Sequence, residues 1–229
     1  MRSLFIILIL IIFAGCTAPE IDTGTETATG NTTMAIKANS INFTILALGD
    51  SLTEGLGVAE MDSYPALLQK SLANNIKVIN AGLSGETSAG LKNRLNWVLK
   101  QKPDLTILNI GANDAMRGLP LDLTKNNIDE IITRIKAANS DVILAGMQIY
   151  ANLGKEYVHN FNAIYPKLAV KHNIPLIPFF LEHIAGKAEF NQNDLLHPNA
   201  KGYQVIVELN VLPIVNQYLN NKQHLAFEQ

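Results

Sequence analysis

Short apolar runs alternate along this chain with stretches whose apolar positions recur every three or four residues. Phe43 to Leu48 is an unbroken run of strand length and composition. The spacing of Tyr64, Leu67, Leu68 and Leu72 then predicts a helix following Ser51. Ile76 to Ala81 reads as a second strand, and Leu91, Leu95, Val98 and Leu99 mark the face of the next helix. Leu105 to Ile110 reads as a third strand, followed by the helix face Ile128, Ile131, Ile132, Ile135. Val142 to Met147 is a fourth strand, and Val158, Phe161, Ile164 and Leu168 form a helix face behind it. A short strand over Pro175 to Ile177 and a final helix carrying Val205, Ile206 and Leu209 complete the pattern. Alternating strand and helix signals imply an α/β fold with a parallel sheet covered on both faces. The helical stripes read as core faces and call for no cofactor.

The ends read differently. Met1-Arg2-Ser3 carries a positive charge, Leu4 to Phe13 is wholly apolar, and Ala14-Gly15-Cys16 follows. Ten apolar residues fall short of the roughly 20 that a membrane-spanning helix needs, so the layout is that of a secretory signal. Small residues directly before Cys16 resemble the bacterial lipoprotein signal, with Phe13 where leucine is usual. That resemblance implies cleavage before Cys16 and a lipid on it, each buried CH₂ contributing about 0.8 kcal/mol to membrane binding. The other reading is cleavage between Ala14 and Ala18 to give a soluble exported protein. Residues 17–40 are rich in Thr, Asn, Gly and Ala and too polar to fold alone, and read as a tether spanning roughly 25–30 Å. The expected organisation is a signal over 1–16, the tether, one domain over 41–220 and a frayed tail over 221–229.

Composition narrows the chemistry. A formal charge of −2 over 229 residues leaves no electrostatic footprint for nucleic acid. A single cysteine excludes an internal disulfide and a multi-cysteine zinc site. Neither metal nor cofactor is expected.

Three strand ends carry the polar residues that suggest a site. Gly49-Asp50-Ser51-Leu52 follows the first strand, where ligands bind in open α/β sheets and where a helix start directs free N–H groups. The plain alternative is that Asp50 and Ser51 cap the next helix. Asp194-Leu195-Leu196-His197-Pro198 supplies an acid three residues before a histidine that Pro198 keeps out of helix. If that loop curls, Asp194 reaches the imidazole of His197, and a serine, a histidine and an acid make an acylating nucleophile. His159, His172, His183 and His224 lack such a partner and read as helix-surface or tail residues. Gly82, in Asn80-Ala81-Gly82-Leu83-Ser84-Gly85, offers an unshielded N–H, and Asn113, in Gly111-Ala112-Asn113-Asp114, offers an amide. With the N–H of Ser51 these make three donors for a developing oxyanion.

Taken together and in this order, the four blocks resemble those of the GDSL (SGNH) hydrolases. Ala115-Met116-Arg117-Gly118, Met147-Gln148-Ile149 and Ile164-Tyr165-Pro166-Lys167-Leu168 are similar to the branch of bacterial thioesterase I, lysophospholipase and arylesterase. The resemblance covers about Thr44 to Tyr218. It implies a flavodoxin-like three-layer α/β/α sandwich with a five-stranded parallel sheet. It also implies metal-free ester or thioester hydrolysis with Ser51 as nucleophile, His197 as base and then acid, and Asp194 as orienting acid. Ser51, Gly82 and Asn113 would form the oxyanion hole. The chain departs from the family where Leu195 replaces a usual glycine and Ala112 a frequent one. The α/β-hydrolase elbow, Gly-x-Ser-x-Gly, is absent around Ser51. The expected enzyme is a monomeric exported esterase acting on a small-molecule ester, held at the membrane through Cys16. The competing readings are a carbohydrate O-acetyl esterase and a lipoprotein binding module without turnover.

Overall fold

A computed structural model describes residues 43–150 and 153–227, with side chains to residue 222. Cys16, the signal and the tether lie outside the described residues. Five strands, β1 (Phe43–Gly49), β2 (Ile76–Gly82), β3 (Leu105–Asn109), β4 (Asp141–Ala145) and β5 (Leu176–Ile177), form one parallel sheet in the order β2-β1-β3-β4-β5. This is the flavodoxin-like arrangement expected. The three inner strands are buried on both faces, which is why they read as continuous apolar runs.

Register places the chemistry. Gly49 lies beside Gly82 on one side and Asn109 on the other, so β1, β2 and β3 finish level. The chain moves outward from β1 to β2 and then returns to β3 on the opposite side. The crevice opened at that switch point is the usual ligand site of such sheets.

The helices pack by their apolar stripes. In α5 (Leu121–Ala137), Ile128, Ile131, Ile132 and Ile135 are fully buried. Truncating one of them to alanine would cost about 2–5 kcal/mol. In α3 (Ser88–Val98), Leu91, Leu95 and Val98 face the sheet, and the Thr87 hydroxyl caps the helix by accepting from the Gly90 N–H.

Two expected helices are divided and a third contains a wide turn. The segment after Ser51 divides into α1 (Ser51–Glu54) and α2 (Tyr64–Ser71), because Gly55 and Gly57 take left-handed backbone and Pro65 starts the second piece. The stretch from Val158 to Leu168 divides at Ala163 into α6 (Lys155–Asn162) and α7 (Ile164–His172), with Pro166 in the first turn of α7. The last helix runs as α8 (Ala200–Val205), a π-helical stretch over Ile206–Val211, and α9 (Leu212–Phe227). There the Leu212 N–H reaches back to Val207, a wide turn placed just before Pro213, which has no N–H to give. The helix extends to Phe227.

Candidate active site

The segment of Ser51 is forced into place by packing. A Cβ on Gly49 would collide with the Asn109 carbonyl and the Thr53 hydroxyl, so only glycine lets β1 end between its neighbours. Asp50 then caps α1, its Oδ1 accepting from the Leu52 N–H at 3.1 Å. Ser51 becomes the first residue of α1, 7% exposed. The capping reading of Asp50 is therefore correct, and it leaves Ser51 free to act.

The acid and base arrive together on a loop of residues 191–198. A β-bridge between Asn191 and Pro198 closes it, with the Gln192 N–H donating to His197 O at 2.8 Å. The Gln192 side chain donates to Leu56 O at 2.7 Å, fastening the loop to the chain just beyond α1. Asp194 curls as expected: one carboxylate oxygen accepts from the N–H groups of Leu196 and His197, the other from His197 Nδ1 at 2.6 Å. His197 Nε2 lies 3.0 Å from Ser51 Oγ. A carboxylate accepts only, so Nδ1 carries the proton and Nε2 is left to accept from the serine hydroxyl. Partial burial pushes the Asp194 carboxyl up, but the His197 N–H, the imidazole and the Leu196 N–H outweigh it and lower the pKa to about 2. Asp194 thus stays charged wherever the histidine works.

Asn113 lies in the short helix α4 (Ala112–Met116), 8% exposed, with its amide within 3.4 Å of Asp50 Oδ2. Asp114 behind it is fully buried and accepts from Ser88 Oγ at 2.5 Å and Ser88 N–H at 2.8 Å, joining α4 to the start of α3. Asp50 is buried too. Loss of water raises its pKa to about 7 and the Glu86 charge adds to that, against the Leu52 N–H, His197 and the Asn113 amide.

Gly82 does not present itself as expected. Its N–H donates to Asn80 Oδ1 at 2.9 Å. Its need for glycine is steric, since a Cβ would strike the backbone of Thr53 and Glu54. Gly85, three residues on, turns with φ of 74°, and among the described residues nothing accepts its N–H. Its carbonyl accepts from Arg117, on the residue after α4, at 2.7 Å. Gly85 was visible in the sequence, but only the folded turn separates its N–H from that of Gly82. His172, read as a bystander, pairs with Asp129 of α5 at 2.6 Å.

A cavity of about 510 Å³ opens from Ser51, Asn113 and His197. Its walls are mainly apolar, with Met116, Met147, Ile149, Phe179, Leu181 and Leu196 among them. Leu195 stands at its mouth, 42% exposed, with φ of 58°. Glycine adopts that left-handed backbone freely, whereas a residue with a Cβ adopts it at a cost.

The model of the GDSL-like lipase/acylhydrolase family matches residues 47–205. The thioesterase 1/protease 1/lysophospholipase L1 of Escherichia coli (strain K12) is 37% identical over 177 residues, covering 76% of this chain and 85% of that protein. An arylesterase of Vibrio mimicus is 38% identical over 168 residues, covering 72% and 84%. The psychrotrophic esterase EstA of Pseudoalteromonas sp., solved in a form inhibited by monoethylphosphonate, has a TM-score of 0.73 at 34% identity, covering 77% of this chain and 98% of its own. The family model reaches from the end of β1 into α8 and covers well over half of the chain; the chain is a hydrolase of the GDSL-like lipase/acylhydrolase family.

Proposed function

We propose that the chain is an exported serine esterase that cleaves carboxylic esters with apolar acyl groups, thioesters and lysophospholipids among them, through a Ser51-His197-Asp194 triad. The observation that carries this is the unbroken hydrogen-bond line from Ser51 Oγ through His197 to Asp194 at the wall of an apolar cavity. Ser51 Oγ attacks the ester carbonyl while His197 Nε2 takes its proton. The carbonyl electrons move onto oxygen, and collapse of the tetrahedral intermediate expels the alkoxide or thiolate, which His197 protonates. Water then repeats the sequence on the acyl-enzyme and frees the acid.

The oxyanion is met by the Ser51 N–H and the Asn113 amide. For the third donor we favour the Gly85 N–H over Gly82, whose N–H already serves Asn80. The acyl group enters the cavity of Met147, Ile149 and Phe179, an apolar surface that suits an alkyl chain better than a sugar. Export and anchorage rest on Met1 to Cys16 of the sequence.

The purified protein should hydrolyse p-nitrophenyl esters, and Ser51→Ala should abolish this while leaving the circular dichroism spectrum intact. Turnover by Ser51→Ala sinks the mechanism. A strict preference for acetate over longer chains replaces the reading with an O-acetyl esterase, and a folded wild type inert to every ester points to a binding module. Labelled palmitate should appear on the exported chain and vanish in Cys16→Ala; an unlabelled wild type removes the anchor.

A further inference from the structure

The end of β1 and the turn after β2 carry the backbone donors assigned to the oxyanion hole, and both are tied to one side chain that sequence reading passed over. Arg94 projects from α3, and its Nη2 donates to Ala81 O at 2.8 Å and lies 3.4 Å from Gly49 O. The same guanidinium grips Glu86 in two places, Nε to Oε1 at 2.6 Å and Nη2 to Oε2 at 2.5 Å. The Glu86 side chain is only 3% exposed, and Glu86 follows Gly85 directly. Gly49 O also accepts from the Leu83 N–H at 3.0 Å, so the turn is laid against the end of β1.

We propose that Arg94, held by Glu86, is a positioning residue that sets the separation of the Ser51 and Gly85 N–H groups. This rests on the esterase reading above. The planar guanidinium takes the Glu86 carboxylate with two nitrogens, which fixes the direction in which Nη2 meets the Ala81 carbonyl; the single nitrogen of lysine has no second point to fix that direction. A buried ion pair contributes little net stability, so its value here is geometric. Arg94 touches no reacting atom in this scheme. It acts through the two strand ends, and a displacement of about 1 Å at such a site costs on the order of 10² in rate.

The test compares wild type, Arg94→Lys and Glu86→Gln. Active sites are counted by the burst of nitrophenolate from a p-nitrophenyl alkylphosphonate, in which Ser51 Oγ bonds to phosphorus and the P–O bond to nitrophenolate breaks. For Arg94→Lys, kcat per titrated site should fall at least about tenfold, with the phosphonate rate falling in parallel, while KM and chain-length preference hold. Glu86→Gln keeps the shape and one acceptor, and should show the same split in weaker form. A purely structural role would lower Tm and the titrated fraction but leave kcat per site at the wild-type value. That result in folded Arg94→Lys overturns the proposal. If Arg94→Lys does not fold, an unchanged kcat and phosphonate rate in Glu86→Gln overturns it. A wild type that neither burns phosphonate nor turns over ester overturns the esterase reading, and this one with it.

Discussion

The Tyr150 hydroxyl donates to the carbonyl of Leu195 at 3.0 Å, across the mouth of the cavity. Leu195 is the residue held in left-handed backbone between Asp194 and His197. For a side chain with a Cβ that conformation costs roughly 1–2 kcal/mol. The tyrosine therefore braces a peptide that would otherwise relax, and the peptide belongs to the loop carrying both acid and base. Tyr150→Phe should lower kcat/KM by roughly 2- to 12-fold, the range of one neutral hydrogen bond. In a Leu195→Gly background, where the strain is gone, the same change should do much less. Equal losses in both backgrounds would show that the two residues act independently.

Asn113→Ala removes a side-chain donor without touching the triad. The loss of one oxyanion donor lowers kcat by about 10²–10³ elsewhere, and a similar fall is expected here. KM for a long-chain ester should change little, because the cavity is unaltered. Steady-state kinetics on a p-nitrophenyl ester decides it, and an unchanged kcat takes Asn113 out of the hole.

Asp50 makes stability depend on pH in the direction opposite to most carboxylates. Burial raises its folded pKa to about 7, with Glu86 adding to it, whereas the unfolded chain titrates near the ordinary value of 3.8. The folded state therefore retains a proton that the unfolded state has lost between these values. The stabilisation from Asp50 is complete below pH 4 and declines as pH rises to 7, by a few kcal/mol at most. Asp50→Asn should accordingly be more stable relative to wild type at pH 8 than at pH 4, as measured by urea denaturation at both. Equal differences at the two values would mean that Asp50 titrates normally.

On the proposed reading the cavity sets an upper limit on acyl length. Ile149→Trp would fill part of it, and each methylene kept out forfeits about 0.8 kcal/mol, so excluding two lowers kcat/KM for a long ester by on the order of tenfold. Acetate should be hydrolysed as before. A parallel loss on acetate and on the long ester would mean that the alkyl chain lies elsewhere.

How much of this was legible beforehand depends on whether the determinant is local. The strands were readable because β1, β3 and β4 are buried on both faces and leave unbroken apolar runs. The contact between Asp194 and His197 was readable because they are three residues apart, and Pro198 keeps the histidine out of helix. The breaks at Gly55 and Ala163 and the wide turn before Pro213 were missed, although glycine and proline announced the first and the last, because the apolar spacing continued through each. Choosing between Gly82 and Gly85 needed the position of the Asn80 side chain, which depends on the fold. Arg94 had no signal of its own: an arginine on an amphipathic helix looks like any solvated charge until the strand ends converge on it.

His197 lies 146 residues after Ser51. A ribosome therefore releases the serine long before the histidine exists. His197 reaches Ser51 on a loop whose Gln192 side chain donates to Leu56 O, so the pair exists only once that loop is in place. A nascent, stalled or clipped chain that ends ahead of residue 194 carries Ser51 without the imidazole that lies 3.0 Å from it in the folded protein, and on the proposed mechanism it has a hydroxyl with nothing to activate it.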